Sequence, residues 1–384
     1  MPLLSVLRFA FTLLSLLILA IAGWLIWSWL EGVTMVEEAG RVYEVRQDWR
    51  LWTAGALLAW SLLGRFVVRL FLARADTDPS RPERGPGQTI QSPTGSSLFI
   101  ETSGPVAAPT IVMTHGWGLD GTIWYYARRD LGGQHRVVTW DLAGLGRSRA
   151  AKDGVSLEAF ATDLRAVIEA ASPREKVTLV GHSIGGMTIQ TLARDHPDFF
   201  RERINGVVLL NTTHTNPLRT MVFSPLMRAL QKPVLEPAMR LAVLLQPVLW
   251  LAAWQGYLSG GTHCAMRFGF GRFVTRSQLD HSALLTTRNA PGVQARGNLA
   301  MFHWGATDSL PGIDVSTLVL AGDLDIVTKV EASETIADLI PGASLQIVEG
   351  VNHMGFLELA EAYNSTIAAF AAPEARPATS AVAI

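Results

Sequence analysis

The stretch Val177-Thr-Leu-Val-Gly-His-Ser183-Ile-Gly-Gly186 decides the fold. A largely aliphatic run climbs to Gly181, small residues flank Ser183, and Gly186–Arg194 continues with apolar residues at helical spacing. Glycine at 181 and 185 permits a sharp strand-to-helix turn that leaves a serine hydroxyl at its tip. The pattern G-x-S-x-G alone decides little. The flanks carry the reading, with a strand before the serine and a helix after it.

Working outward, Ser97–Thr102, Thr110–Thr114 and Arg136–Trp140 read as strands upstream, and Leu157–Ala171 has helical periodicity. Downstream, Gly206–Leu210, Thr317–Ala321 and Ser344–Val348 read as further strands. Strands alternating with helices predict an α/β fold with a mostly parallel, doubly wound sheet. One interval breaks the alternation. The helical texture between Asn211 and Thr317 is too long for a simple connection, so residues of about 214–313 read as an inserted cap.

The N-terminal region has another composition. Phe9–Leu30 is uncharged and rich in Leu, Ile and Trp, long enough as a helix to cross a hydrocarbon layer. Trp24, Trp27 and Trp29 gather at one end, where indoles favour the interface. A cleaved signal peptide competes, because Ala20-Ile21-Ala22 resembles a cleavage site. Against it, apolar sequence continues beyond that site, and Arg8 is the only charged side chain before the run. After a polar loop (Glu31–Arg50), Leu51–Ala73 is apolar apart from Arg65 and Arg69. It reads as a second span, with an interfacial helix as the alternative. Arginines at 65, 69, 74, 81 and 84 follow this run, whereas the loop mixes Arg41, Arg46 and Arg50 with acids. The positive-inside bias then places both termini and the catalytic domain in the cytoplasm, in a multi-pass membrane protein. The expected domains are a membrane segment (1–74), a Pro-rich linker (75–87), a globular domain (88–372) and an Ala/Pro-rich flexible tail (373–384).

A net charge of −1 over 384 residues gives no case for nucleic acid as a partner. The single cysteine, Cys264, excludes an internal disulfide framework and a cysteine-based zinc site, and reads as a small buried apolar residue. His214, His263, His281 and His303 fall in the cap without paired ligand spacing, and HExxH is absent, so no metal or other cofactor is expected.

A serine hydroxyl needs a base to take its proton and an acid to orient that base. Downstream, the strand ending Gly322-Asp323-Leu324-Asp325 offers two carboxylates, and Val348-Glu-Gly-Val-Asn-His353 puts a histidine in the loop after the next strand. The order Ser183, Asp325, His353 is the one expected on this fold.

With His115-Gly-Trp-Gly118 after a strand and Asp141-Leu-Ala-Gly-Leu-Gly-Arg-Ser148, these residues resemble the α/β-hydrolase superfamily of esterases, lipases and related serine hydrolases over roughly Thr89–Ala371. The resemblance implies Ser183 as nucleophile, His353 as general base and Asp325 as its orienting acid, with Asp323 as the rival acid. It implies an oxyanion hole from the backbone N–H groups of Trp117 and Ile184. The Trp117 indole then walls the acyl pocket. His115, Asp141 and Ser148 read as structural, and His182 is expected to face away from the nucleophile.

The cap is apolar, with Leu241–Trp254 nearly free of polar residues, and Arg219, Arg228, Lys232 and Arg240 lean it basic. Such a lid suits a small-molecule lipophilic ester and contact with membrane lipid. A cap helix simply packed on the sheet domain is the plainer reading. Cofactor-free haloperoxidases and carbon–carbon bond hydrolases share the same side chains and stay open, as does a non-catalytic ligand-sensing scaffold.

Overall fold

A computed structural model describes residues 2–36 and 41–372. The tail at 373–384, expected to be flexible, lies outside the described residues. Two long helices come first, α1 (Pro2–Glu31) and α2 (Asp48–Leu72), both long and apolar enough to cross a membrane. Helix α1 begins seven residues before the uncharged run, because Pro2 suits a first helical turn and Leu3–Leu7 are largely apolar. The interval expected to be a loop instead pairs β1 (Val33–Val36) with β2 (Val42–Val45) in an antiparallel hairpin. The two helices join near this hairpin, where Arg50 donates to the Ser28 carbonyl (3.0 Å) and the Trp29 indole donates to Asp48 (3.2 Å).

An eight-stranded sheet follows: β3 (Gly87–Gln91), β4 (Ser97–Ser103), β5 (Thr110–Thr114), β6 (Arg136–Trp140), β7 (Val177–His182), β8 (Ile204–Leu210), β9 (Ser316–Gly322) and β10 (Ser344–Val348). Its order is β10-β9-β8-β7-β5-β6-β4-β3. The six strands from β10 to β6 run parallel, and β4 and β3 close one edge antiparallel. Strands β5 and β7 are wholly buried on both faces, as a wound parallel sheet requires. Two apolar clusters line those faces, one around Phe160, Leu164 and Trp140, the other around Trp124, Tyr363 and Phe356. Helix α3 (Leu157–Ala171) begins at Ser156, whose side chain accepts from the Ala159 N–H, and it packs on α4 (Ile184–Asp195), the helix after the serine.

Edge strand β3 is not evident in the sequence, since Gly87–Gln91 is polar and mostly exposed; its pairing with β4 creates it. Just before it, Arg84 ties the linker down by ion pairs to Glu101 (2.7 Å), Asp120 (3.0 Å) and Asp141 (3.0 Å).

Between β8 and β9 the chain leaves the sheet for a set of helices. They include α5 (Glu236–Leu244), α6 (Gln246–Leu258), α7 (Gly261–Arg267), α8 (Arg276–Arg288) and α9 (Pro291–Phe302). They dock on the turn after β5, where Asn289 Nδ2 donates to the Gly118 and Leu119 carbonyls (2.9 and 3.1 Å). Cys264 on α7 is only partly buried, contrary to its reading as a core residue, because one side of this short helix is left uncovered.

Candidate active site

Ser183 follows β7 and caps α4 with φ 56° and ψ −117°, a left-handed conformation that costs a non-glycine residue energy. The neighbours hold it there. The Ser183 N–H donates to the Leu210 carbonyl (2.9 Å), and Thr212 Oγ1 donates to the Ser183 carbonyl (2.6 Å). A Cβ at Gly181 would lie 2.6 Å from the Gly185 backbone, and one at Gly185 would collide with the Thr114 carbonyl. The two glycines therefore serve close packing of strand against helix, and the strain sits on the serine itself.

Asp325 follows β9 and is buried. One oxygen accepts from the N–H groups of Val327 (2.7 Å) and Thr328 (2.9 Å). The other accepts from Thr328 Oγ1 (2.8 Å), Asn211 Nδ2 (2.9 Å) and His353 Nδ1 (2.9 Å). Burial pushes this carboxyl up, but the His353 imidazole, its hydrogen bond and the Thr328 and Asn211 donors outweigh it and hold the group below the ordinary carboxylate range. Asn211 reaches Asp325 from the end of β8 with φ 44°. Asp323, the rival acid, is used elsewhere: it accepts from the Gly350 N–H (2.7 Å).

Because Nδ1 of His353 faces a carboxylate, its proton sits there and Nε2 is left as the basic nitrogen. Nε2 is buried and has no hydrogen-bond partner among the described residues. The serine–histidine hydrogen bond is thus not formed in this structure.

His182 departs from expectation. It does not face away: its ring lies 4.8 Å from the His353 ring and 4.6 Å from Phe356, and its Nε2 donates to the His353 carbonyl (3.0 Å). The strand carries it inward because β7 is packed on both faces, so no side of the elbow is open to solvent. Burial and the neighbouring His353 hold its pKa well below the usual histidine value, so it is neutral.

His115, Asp141 and Ser148 hold the surrounding backbone. The Leu142 N–H donates to His115 Nε2 (3.0 Å), so His115 carries its proton on Nδ1 and donates to the Gly116 carbonyl (2.9 Å); burial lowers its pKa to about 4. Asp141 accepts from the N–H groups of Gly121 (2.7 Å) and Arg147 (2.8 Å), and Ser148 Oγ donates to the Asp141 carbonyl (2.6 Å). Together they brace the turn containing Gly144 (φ 84°) and Gly146 (φ 55°). Ile184 opens α4, where a backbone N–H has no intrahelical acceptor. Trp117 lies in the turn after β5, its indole donating to the Gln294 carbonyl (3.0 Å) beneath the cap. The cap histidines have partners of their own: His263 Nε2 lies 2.8 Å from Asp280, His281 Nδ1 2.7 Å from Ser80 Oγ, His214 Nδ1 2.7 Å from Thr307 Oγ1 and His303 Nε2 3.3 Å from Glu236. Among the described residues no group of three metal-ligating side chains occurs.

Sequence reasoning missed the roof. A cavity of about 30 Å³ is lined by His353, His182 and Trp117 from the hydrolase domain and by Leu4, Ser5 and Arg8 from α1. Arg8 donates to Gln294 Oε1 (3.0 Å) and to the Thr286 carbonyl (3.2 Å). The lone arginine before the apolar run was the only signal in the sequence. Asn211 and Thr328 were missed as well, although Thr328 sits three residues after the acid, where a turn brings its N–H back.

Comparison with known proteins agrees with this fold. A family model described as "alpha/beta hydrolase fold" matches residues 109–360. A non-heme chloroperoxidase from Streptomyces lividans is 27% identical over 73% of this chain and 98% of its own length. A pimeloyl-[acyl-carrier protein] methyl ester esterase from Vibrio atlanticus is 26% identical over 72% of this chain and 98% of its own. An esterase from Exiguobacterium antarcticum superposes with a TM-score of 0.61 at 20% identity, over 74% of this chain and 99% of that one. The chain belongs to the α/β-hydrolase family.

Proposed function

We propose that this chain is a membrane-anchored serine hydrolase that cleaves carboxylic esters with a lipophilic acyl part. Helices α1 and α2 are taken as two spans, and the hydrolase domain lies on the cytoplasmic side. One observation carries the reading of the chemistry: the Asp325–His353 pair is held by buried donors at the same end of the sheet as the strained Ser183.

The reaction follows from the geometry. Ser183 Oγ attacks the ester carbonyl carbon while His353 Nε2 takes its proton. Asp325 keeps the imidazole in the right tautomer and stabilises the imidazolium as it forms. The N–H groups of Trp117 and Ile184 hold the oxyanion, each worth about 3 kcal/mol in the transition state. Collapse breaks the bond to the alcohol, which leaves with the proton from His353, and Ser183 carries the acyl group. Water then repeats the sequence and releases the acid. No cofactor enters these steps.

The test uses the full chain in detergent micelles with p-nitrophenyl esters from acetate to laurate. Turnover per unit substrate should rise with acyl length and vanish in Ser183→Ala. A flat profile contradicts the lipophilic substrate, and undiminished activity in the variant contradicts the catalytic reading and leaves a ligand-sensing scaffold. Similarity to chloroperoxidases favours a second reading, halide oxidation with peroxide at the same serine. Peroxide-dependent bromination exceeding ester cleavage would select it.

A further inference from the structure

The cap meets α1 and α2 through small residues in close contact. Ser15 Oγ on α1 lies 2.6 Å from Ser259 Oγ, and Gln255 Nε2 on α6 donates to the Ser61 carbonyl on α2 (3.2 Å). A Cβ at Gly64 would lie 2.5 Å from the Ser259 carbonyl oxygen, one at Gly256 2.8 Å from Thr12, and one at Gly260 2.6 Å from Val68. Small residues that let helices approach this closely are the usual packing device within bilayers.

The register of these contacts sets a depth. Glu31 and Asp48 mark the charged ends of the two apolar helices at their hairpin. At 1.5 Å per residue, Ser15 lies about 24 Å below that end and Ser61 about 20 Å below it. A hydrocarbon layer is about 30 Å thick, so the C-terminus of α6 meets both helices inside it, roughly 6–10 Å short of its far edge. Charged groups resume below: Arg65 stacks on Tyr257 (4.7 Å) and Arg69 pairs with Asp280 (3.7 Å). Arg8 sits about 34 Å down, at headgroup level.

The other end of α6 reaches that level too. Trp250 donates to the Thr287 carbonyl (3.0 Å), next to the Thr286 carbonyl that Arg8 engages. Helix α6 therefore climbs obliquely from the headgroup level into the hydrocarbon. Helices α5 and α6 meet at a bend of 100°, and around it Leu241, Leu244, Val248 and Leu251 are more than half exposed (Leu244 78%, Leu251 74%). Side chains of this kind, continuous with two apolar helices, fit lipid and not water.

We infer that the α5–α6 hairpin is a third membrane element, inserted from one side into the leaflet nearest the hydrolase domain. The inference rests on α1 and α2 spanning, as proposed above. It places the cavity bounded by Arg8, His353 and Trp117 at headgroup depth. The substrate is then an ester amphiphile drawn sideways from that leaflet, its ester group already at the level of Ser183.

The experiment is spin-label accessibility on the full chain in lipid nanodiscs, in a Cys264→Ala background. Labels go at Leu244→Cys and Leu251→Cys, with Leu17→Cys on the exposed face of α1 and Val106→Cys on the hydrolase domain as references. The inference expects 244 and 251 to be more open to oxygen and less open to nickel–EDDA than 106, at the headgroup–acyl boundary and shallower than 17. Exposure to nickel at 244 and 251, as at 106, overturns it, and the spanning reading survives if 17 remains lipid-facing. Shielding from both reagents also overturns it, because a protein surface then covers the hairpin. Nickel exposure at 17 overturns both readings together. A second variant keeps the native cysteine: Leu244→Asp with Leu251→Asp should lose turnover of a vesicle-embedded ester while hydrolysis of p-nitrophenyl acetate is unchanged. Equal loss on both substrates, or on neither, contradicts the insertion.

Discussion

At the floor of the catalytic cavity, Asp325 accepts from five donors, and the ring and backbone of His353 are braced by His182. At the roof, the first turns of α1 are held by the apolar contacts of Leu4, by two hydrogen bonds from Arg8 to neutral oxygens and by Asn298 Nδ2 donating to Ser5 Oγ (3.4 Å). The contrast separates two tasks. In the proposed reaction the floor fixes the reacting groups before substrate arrives, which is where electrostatic preorganisation has its effect. The roof leaves room for about one water molecule, so the substrate proposed above enters only when the roof shifts. A cover held by apolar contacts and hydrogen bonds to neutral groups, over a floor held by the buried Asp325–His353 pair, suits the reaction proposed above.

The largest effects break the floor. Ser183→Ala should lower kcat by about 10⁶ and leave the melting temperature nearly unchanged, and Asp325→Asn should lower it by roughly 10⁴ by favouring the wrong imidazole tautomer. Asp323→Asn separates the two acids. It should lose stability through the Gly350 contact while kcat stays near the wild-type value, and a collapse of kcat there would return the acid role to residue 323.

His182 sharpens the boundary between positioning and chemistry. His182→Ala removes the ring against His353 and the bond to its carbonyl, so kcat should fall on the order of tenfold with KM little changed. The acid limb of the pH–rate profile should move with it. Asparagine at 182 should restore part of the rate if the carbonyl contact matters most.

The roof gives smaller effects of opposite sign. Arg8→Gln removes the charge-assisted bonds to Gln294 and Thr286, together worth about 1–3 kcal/mol in the closed form. It should raise kcat/KM for long-chain esters several-fold and leave the rate of fluorophosphonate inactivation at saturation unchanged. A fall in kcat/KM would make Arg8 a substrate-binding group instead.

The smallest effect is on stability against pH. His115 and His281 are held neutral by burial with pKa values of about 4, and His182 is lowered as well. A histidine whose folded pKa is depressed is fully compatible with the fold above its unfolded value near 6.5, and its stabilisation is lost as pH falls from there through the folded value. Asp141, raised to about 6 by burial, acts the other way over part of this range. His135 and His214 are lowered by burial as well, and Asp163 and Glu358 raised by it, so five histidines against three carboxyls predict a melting temperature that falls as pH drops from 7 to 4.

These comparisons also show what the sequence made legible. Strands β5, β6 and β10 and helix α3 are found within a residue of their expected ends, because buried parallel strands are apolar runs and α3 has a clear periodicity. The preference for Asp325 over Asp323 comes from the family's spacing after Gly322, and it is Asp325 that the structure pairs with His353. Strands β1 to β3 were hidden, since exposed polar hairpins and edges owe their structure to pairing partners. The side of β7 that His182 takes, the support of Asp325 by Asn211, and the seating of Arg8 over the cavity join residues 114 to 286 positions apart. No local pattern records such contacts.

Labelling with a fluorophosphonate, followed by peptide mapping, tests the proposed chemistry most directly. The reagent should add to the full-length chain once, on the peptide carrying Ser183, at a rate that falls in Asp325→Asn and to zero in Ser183→Ala. An adduct on another residue, or none while ester cleavage proceeds, would contradict it.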